Sequence, residues 1–71
     1  MDKYTKTIQF IKHKYKMNIG LYEDRSGVFA AQAIGALRAV FTMAEYDTEL
    51  TGAEYIAVQR LINEAVKEVK A

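Results

Sequence analysis

The sequence predicts an all-α fold, a small three-helix domain, and three observations carry that expectation. Proline is absent from all 71 residues, and proline is the strongest interrupter of helices. Apolar residues recur at intervals of three and four in three successive segments. A capping box stands ahead of the last segment. The helices are expected over about 3–18, 26–46 and 51–69 of a single domain, 1–71.

In the first segment Tyr4, Ile8, Ile11, Tyr15, Ile19 and Tyr22 line up on one side of a helix at 100° per residue. Asn18 and Gly20 supply residues that tolerate a left-handed end, so the helix is expected to stop near Asn18. The competing reading is α+β, with residues 8–19 as a strand. Lys12, Lys14 and Lys16 alternate there with His13, Tyr15 and Met17. The helix accounts for more: it covers the residues before Ile8 and explains the adjacent apolar pair Phe10 and Ile11. Phe10 and Met17 then fall opposite the main stripe, among Lys3, Lys6, His13 and Lys14. Either this helix is wedged and buried on two sides, or these residues form a partner patch with a cationic rim.

The second segment, SGVFAAQAIGALRAVFTMAEY, is almost wholly apolar or small. It reads as a mostly buried central helix with Asp24 or Ser26 as N-cap. Its polar side gathers Gln32, Arg38, Thr42 and Glu45, together with Ala31, Gly35 and Ala39. A membrane span is rejected because Arg38 near the centre costs about 2.5–3.5 kcal/mol on insertion scales. Ala31, Gly35 and Ala39 form a small-residue ridge that admits another backbone, either a neighbour in the bundle or a second copy of the chain. Under either alternative enlarging Gly35 is expected to be harmful, Gly35→Leu costing on the order of a few kcal/mol by overpacking. The helix is too apolar for two neighbours to cover, so homodimerisation is expected to complete the domain.

The third segment begins with Thr51-x-x-Glu54, flanked by Leu50 and Tyr55 at the positions of a hydrophobic staple. Val58, Leu61, Ile62, Ala65, Val66 and Val69 continue the apolar stripe. Arg60, Asn63, Glu64, Lys67 and Glu68 face the other way.

Composition narrows function. The formal net charge is +1, short of a dedicated nucleic-acid binder, but it is unevenly distributed. Residues 1–22 carry five lysines against Asp2, whereas 45–54 carry Glu45, Asp47, Glu49 and Glu54 with no cation. There is no cysteine and one histidine, His13, with no carboxylate at a helical spacing to orient it. Asp47, Glu49, Thr51 and Gly52 match the opening of a calcium loop, but the position that must hold a bidentate glutamate is Val58. No enzyme activity, cofactor or metal is expected. A helix-turn-helix reader is disfavoured, because Glu54, Glu64 and Glu68 would repel phosphate.

The expected function is therefore a non-enzymatic protein-interaction module, a small regulatory, adaptor or inhibitor protein of bacterial or phage type. The N-terminus shows no long apolar signal segment, so a cytoplasmic location is expected. The candidate partner-binding residues are Lys3, Lys6, Phe10, His13, Lys14, Met17, Asp47 and Glu49; those for self-association are Ala31, Gly35 and Ala39. The second functional reading is nucleic-acid binding by the lysine-rich first helix, with Tyr4 or Phe10 stacking on bases.

Overall fold

The computed structural model describes residues 3–24 and 26–70, without the side chain of Lys3. They form three α-helices: α1, Lys3–Leu21; α2, Val28–Glu45; α3, Gly52–Lys70. The strand expected as the alternative for 8–19 is not formed, since these residues lie within α1. Each helix packs on both others in an elongated body of 40 × 19 × 16 Å.

One buried cluster joins the helices. Tyr4 and Ile8 enter it from α1, Leu37, Val40 and Ala44 from α2, and Val58, Ile62 and Ala65 from α3. Ile11, Phe41, Tyr55, Leu61 and Val66 pack around it, and Leu50 closes one end. On α3 every residue of the expected stripe is buried or half-buried, and the expected polar residues are exposed.

The capping box forms as the sequence requires. The Glu54 N–H donates to Thr51 Oγ1 at 3.1 Å, and the Thr51 N–H donates to Glu54 Oε1 at 3.0 Å. Two donors otherwise orphaned at the helix start are thereby satisfied. Thr51→Ala is expected to lower stability by about 1 kcal/mol. A thermal melt should show it as a drop of about 4–8 °C.

The start of α2 is built differently from either capping expectation. Gly27 occupies the N-cap position with φ 72°, in the left-handed region that glycine enters without strain. The Asp24 carboxylate reaches over it and accepts the N–H groups of Phe29 and Ala30 at 3.1 and 3.3 Å. Asp24 thus satisfies the first turn from outside the cap position, and Ser26 lies ahead of the helix.

Two expectations for α1 are corrected. The helix does not stop at Asn18 but continues through Gly20 to Leu21, and the Tyr22 N–H donates to the Asn18 carbonyl at 2.8 Å. Gly20 is not left-handed, and a glycine ends a helix only where it takes that conformation. The stripe also leaves the core early: Tyr4, Ile8, Ile11 and Tyr15 are buried or half-buried, but Ile19 and Tyr22 are exposed. The reason is the length of α3. Its penultimate residue, Val69, accepts a hydrogen bond at 3.1 Å from the Tyr15 hydroxyl, so the last turn of α1 overhangs the end of α3. Among the described residues α2 alone reaches that far, through the tilted ring contact of Phe29 with Tyr22 at 6.1 Å.

The reading of α2 as mostly buried is also corrected. Ala33, Leu37, Val40 and Ala44 are its buried residues, about one position in four. Two flanking helices cover one side of a third, and α2 has no other neighbour among the described residues. Its opposite side faces solvent with Val28, Ala31, Gln32, Gly35, Ala39 and Met43. With 18 residues and a mean hydropathy of 1.2, α2 is long and apolar enough to cross a membrane by length and composition, with Arg38 near its middle.

Candidate partner-binding face

Along α1, Lys6, Phe10, His13, Lys14 and Met17 share the side turned away from the core, and all five are exposed. Phe10 is 63% exposed and Met17 50%. The wedged arrangement, with α1 buried on two sides, is therefore not the one formed. Leu21, 70% exposed, extends the same side by one more turn. It was hidden from sequence reasoning by the helix stop expected at Asn18; a helix carried through Gly20 places it four residues beyond Met17.

Phe10 and Lys14 form one wall of an open groove of about 250 Å³ between α1 and α2, and Phe29, Gln32 and Ala36 form the other. Lys14 is the one ionised side chain among its lining residues. Neither α1 nor α2 contributes an acid before Glu45, so the groove is apolar at its base and positive at its rim. Lys3 begins α1, but its side chain lies outside the described residues.

Not every lysine belongs to this face. Lys12 turns toward α3, where its ammonium pairs with Glu68 at 2.7 Å. That hydrogen bond holds the Glu68 carboxyl below the usual carboxylate range, with Lys16 adding to the attraction. A carboxyl lowered on folding contributes stability above its ordinary pKa and loses it as the pH falls through the lowered value. For so exposed a group the contribution is slight. Lys6, Lys14 and Lys16 remain exposed.

The acidic turn is a separate feature. The Asp47 carboxylate accepts the Tyr4 hydroxyl at the start of α1, and its other oxygen accepts the Glu49 N–H at 3.0 Å. Asp47 thereby ties the α2–α3 connection to α1, while Glu49 is exposed. Tyr4 lies 6 residues before Phe10 and 13 before Met17, about 9 and 20 Å along the helix. The candidate residues thus divide between an α1 face and an acidic end. A groove of about 300 Å³ at that end is bordered by Glu45, Asp47, Leu50 and Tyr55. Among the described residues no three His, Asp or Glu side chains gather as a metal set would.

Ala31, Gly35 and Ala39 lie on the solvent side of α2, not between helices. The intramolecular reading of this ridge is overturned, and with it the overpacking expected of Gly35→Leu: a Cβ added at Gly35 meets nothing within 4 Å. A mid-helix glycine costs about 0.5–1 kcal/mol relative to alanine. Gly35→Ala is therefore expected to raise the unfolding free energy of the chain by that much, read as a higher urea midpoint with an unchanged m-value.

Comparison of the chain with protein-family models, with curated proteins and with solved structures finds no significant match.

Proposed function

We propose that this protein is a non-enzymatic interaction module that regulates, bridges or blocks a protein partner through the exposed side of α1 and its groove with α2. The observation that carries the proposal is the pair Phe10 and Met17, one heptad apart, exposed and flanked by Lys6, Lys14 and His13. Large apolar side chains that do nothing for the core, rimmed by charges of one sign, are what a binding face presents. The complementary partner segment has apolar anchors and acidic flanks, and a groove of about 250 Å³ admits one or two such anchors. The acidic turn, with Glu49 exposed, gives the module a second charged end.

Immobilised protein is expected to retain a stoichiometric partner from the native host, and the Phe10→Ser/Met17→Ser variant is expected to lose it. Equal retention by both would remove this face from the function.

Nucleic-acid binding is the second reading, favoured by the exposed Lys6, Lys14 and Lys16 beside Phe10. Lys12 is less available to it because of its pairing with Glu68. Titration with DNA and RNA across salt concentration separates the two readings. Three engaged lysines give a logarithmic salt slope of about −2 to −3; no binding at low salt eliminates this reading.

A further inference from the structure

We infer that the acidic turn of a second copy of this chain docks head to tail into the α1–α2 groove, its Tyr46 ring seated between Phe10 and Phe29. The inference rests on the reading of the α1 side as a binding face and names one occupant of it. Two separate observations meet here. The groove suits a large apolar anchor with acidic flanks, since Phe10, Phe29, Ala33 and Ala36 line it and Lys14 is its one ionised side chain. The stretch from Met43 to Glu49 presents that combination. Tyr46, 82% exposed, is the most exposed large apolar side chain among the described residues, and Met43, 62% exposed, stands one helical turn before it. Glu45 and Glu49, both exposed, lie on either side of Tyr46 in the chain.

The two surfaces match group by group. A phenol ring needs apolar walls along its faces and a polar partner for its hydroxyl. Phe10 and Phe29 supply the walls, and Asn18 and Gln32 line the same groove. Lys14 at the rim, with Lys6 two turns back along α1, then meets Glu45 and Glu49 of the second copy. Charges of the opposite kind stand aside. Of the two acids in the α1–α2 connection, Asp24 has its carboxylate taken up by the Phe29 and Ala30 N–H groups, and Glu23 lies past the end of α1. Arg38 is 8 residues and about 12 Å back along α2 from Tyr46, and it borders a different groove, with Gln59 and Asn63 of α3.

The contact cannot close within one chain. Gln32 in the groove and Tyr46 belong to the same helix and its cap, 14 residues and about 21 Å apart. A straight helix holds the anchor away from its own groove, so the occupant is another copy. Each copy then offers one groove and one anchor on different surfaces. Such a heterologous contact does not saturate at two copies and extends into a ring or an open chain. It also covers Phe10 and Lys14, so self-association and the host partner compete for one face.

Sedimentation of the full chain from low to high micromolar concentration, at low and at high salt, tests this inference. The wild type is expected to form species of twice 8.1 kDa and larger, reversibly, with less association at high salt because the charged rim is screened. Tyr46→Ser, which removes the anchor, and Phe10→Ser, which removes a wall of the groove, should each raise the dissociation constant at least 30-fold, about the effect of losing a hot spot. Both positions are exposed, so helical circular dichroism should be retained. An equal mixture of the two variants keeps one intact anchor and one intact groove. It should give a species of twice 8.1 kDa and nothing larger. A wild type of 8.1 kDa throughout, a mixture that stays monomeric where the wild type associates, or association untouched by Tyr46→Ser would overturn the inference. Tyr46→Ser should still retain the host partner that Phe10→Ser/Met17→Ser loses, so that failure here is distinguishable from failure of the α1 binding face.

Discussion

Leu37→Ala is expected to lower the unfolding free energy by about 3 kcal/mol, the middle of the range for deleting a fully buried leucine. Leu37 is 0% exposed and stands on α2 at the centre of the cluster built with Ile8 and Val58. Its removal takes away apolar burial and leaves a cavity lined by all three helices, which cannot close without shifting one of them. A domain of 71 residues has about 4–11 kcal/mol in total. The variant should therefore melt about 12–24 °C lower than the wild type. A melt within a few degrees of the wild type would show that the three helices do not share this core.

Phe10→Ser/Met17→Ser is expected to behave in the opposite way. Both side chains are half-exposed or more and belong to no part of the buried cluster, so the melting temperature should stay within about 4 °C of the wild type, the shift that 1 kcal/mol produces at the least. Binding should suffer instead. Anchors that fill a partner's pockets cost about 2 kcal/mol or more each when truncated, so affinity is expected to fall roughly 1,000-fold for the pair. Calorimetry with the recovered partner measures this loss, and the paired melt shows that it does not come from unfolding.

The two variants separate the two jobs of α1 and α2, and the sequence carried these unequally. The start of α3 was legible because Thr51, Glu54, Leu50 and Tyr55 signal the same event from four positions, and the structure forms the reciprocal hydrogen bonds they require. Helical spacing placed Phe10 and Met17 opposite the main stripe once the helix was preferred to the strand, but left a wedged, buried arrangement equally open; their exposure is a finding of the structure.

What was misread depended on the lengths and placement of other elements. Gly20 has the residue type of a helix stop but not its conformation, and this concealed Leu21 on the candidate face. Ile19 and Tyr22 have core spacing but lie where α3 has already ended, a limit that no residue of α1 records. The apolar composition of α2 shows how much surface would gain from burial, not how many neighbours exist to bury it. Asp47 was legible as a turn carboxylate and a candidate partner residue, but not its acceptance of the Tyr4 hydroxyl across 43 residues, a tie to α1 that composition cannot anticipate.

The central claim is that a partner occupies the α1 side and its groove with α2. Amide hydrogen exchange of the chain, alone and with the recovered partner, tests it most directly. Added protection is expected over residues 10–21 and 28–36, with little change over 52–70. Protection confined to α3 or to the acidic turn would contradict the claim and move the binding site to the other end of the molecule.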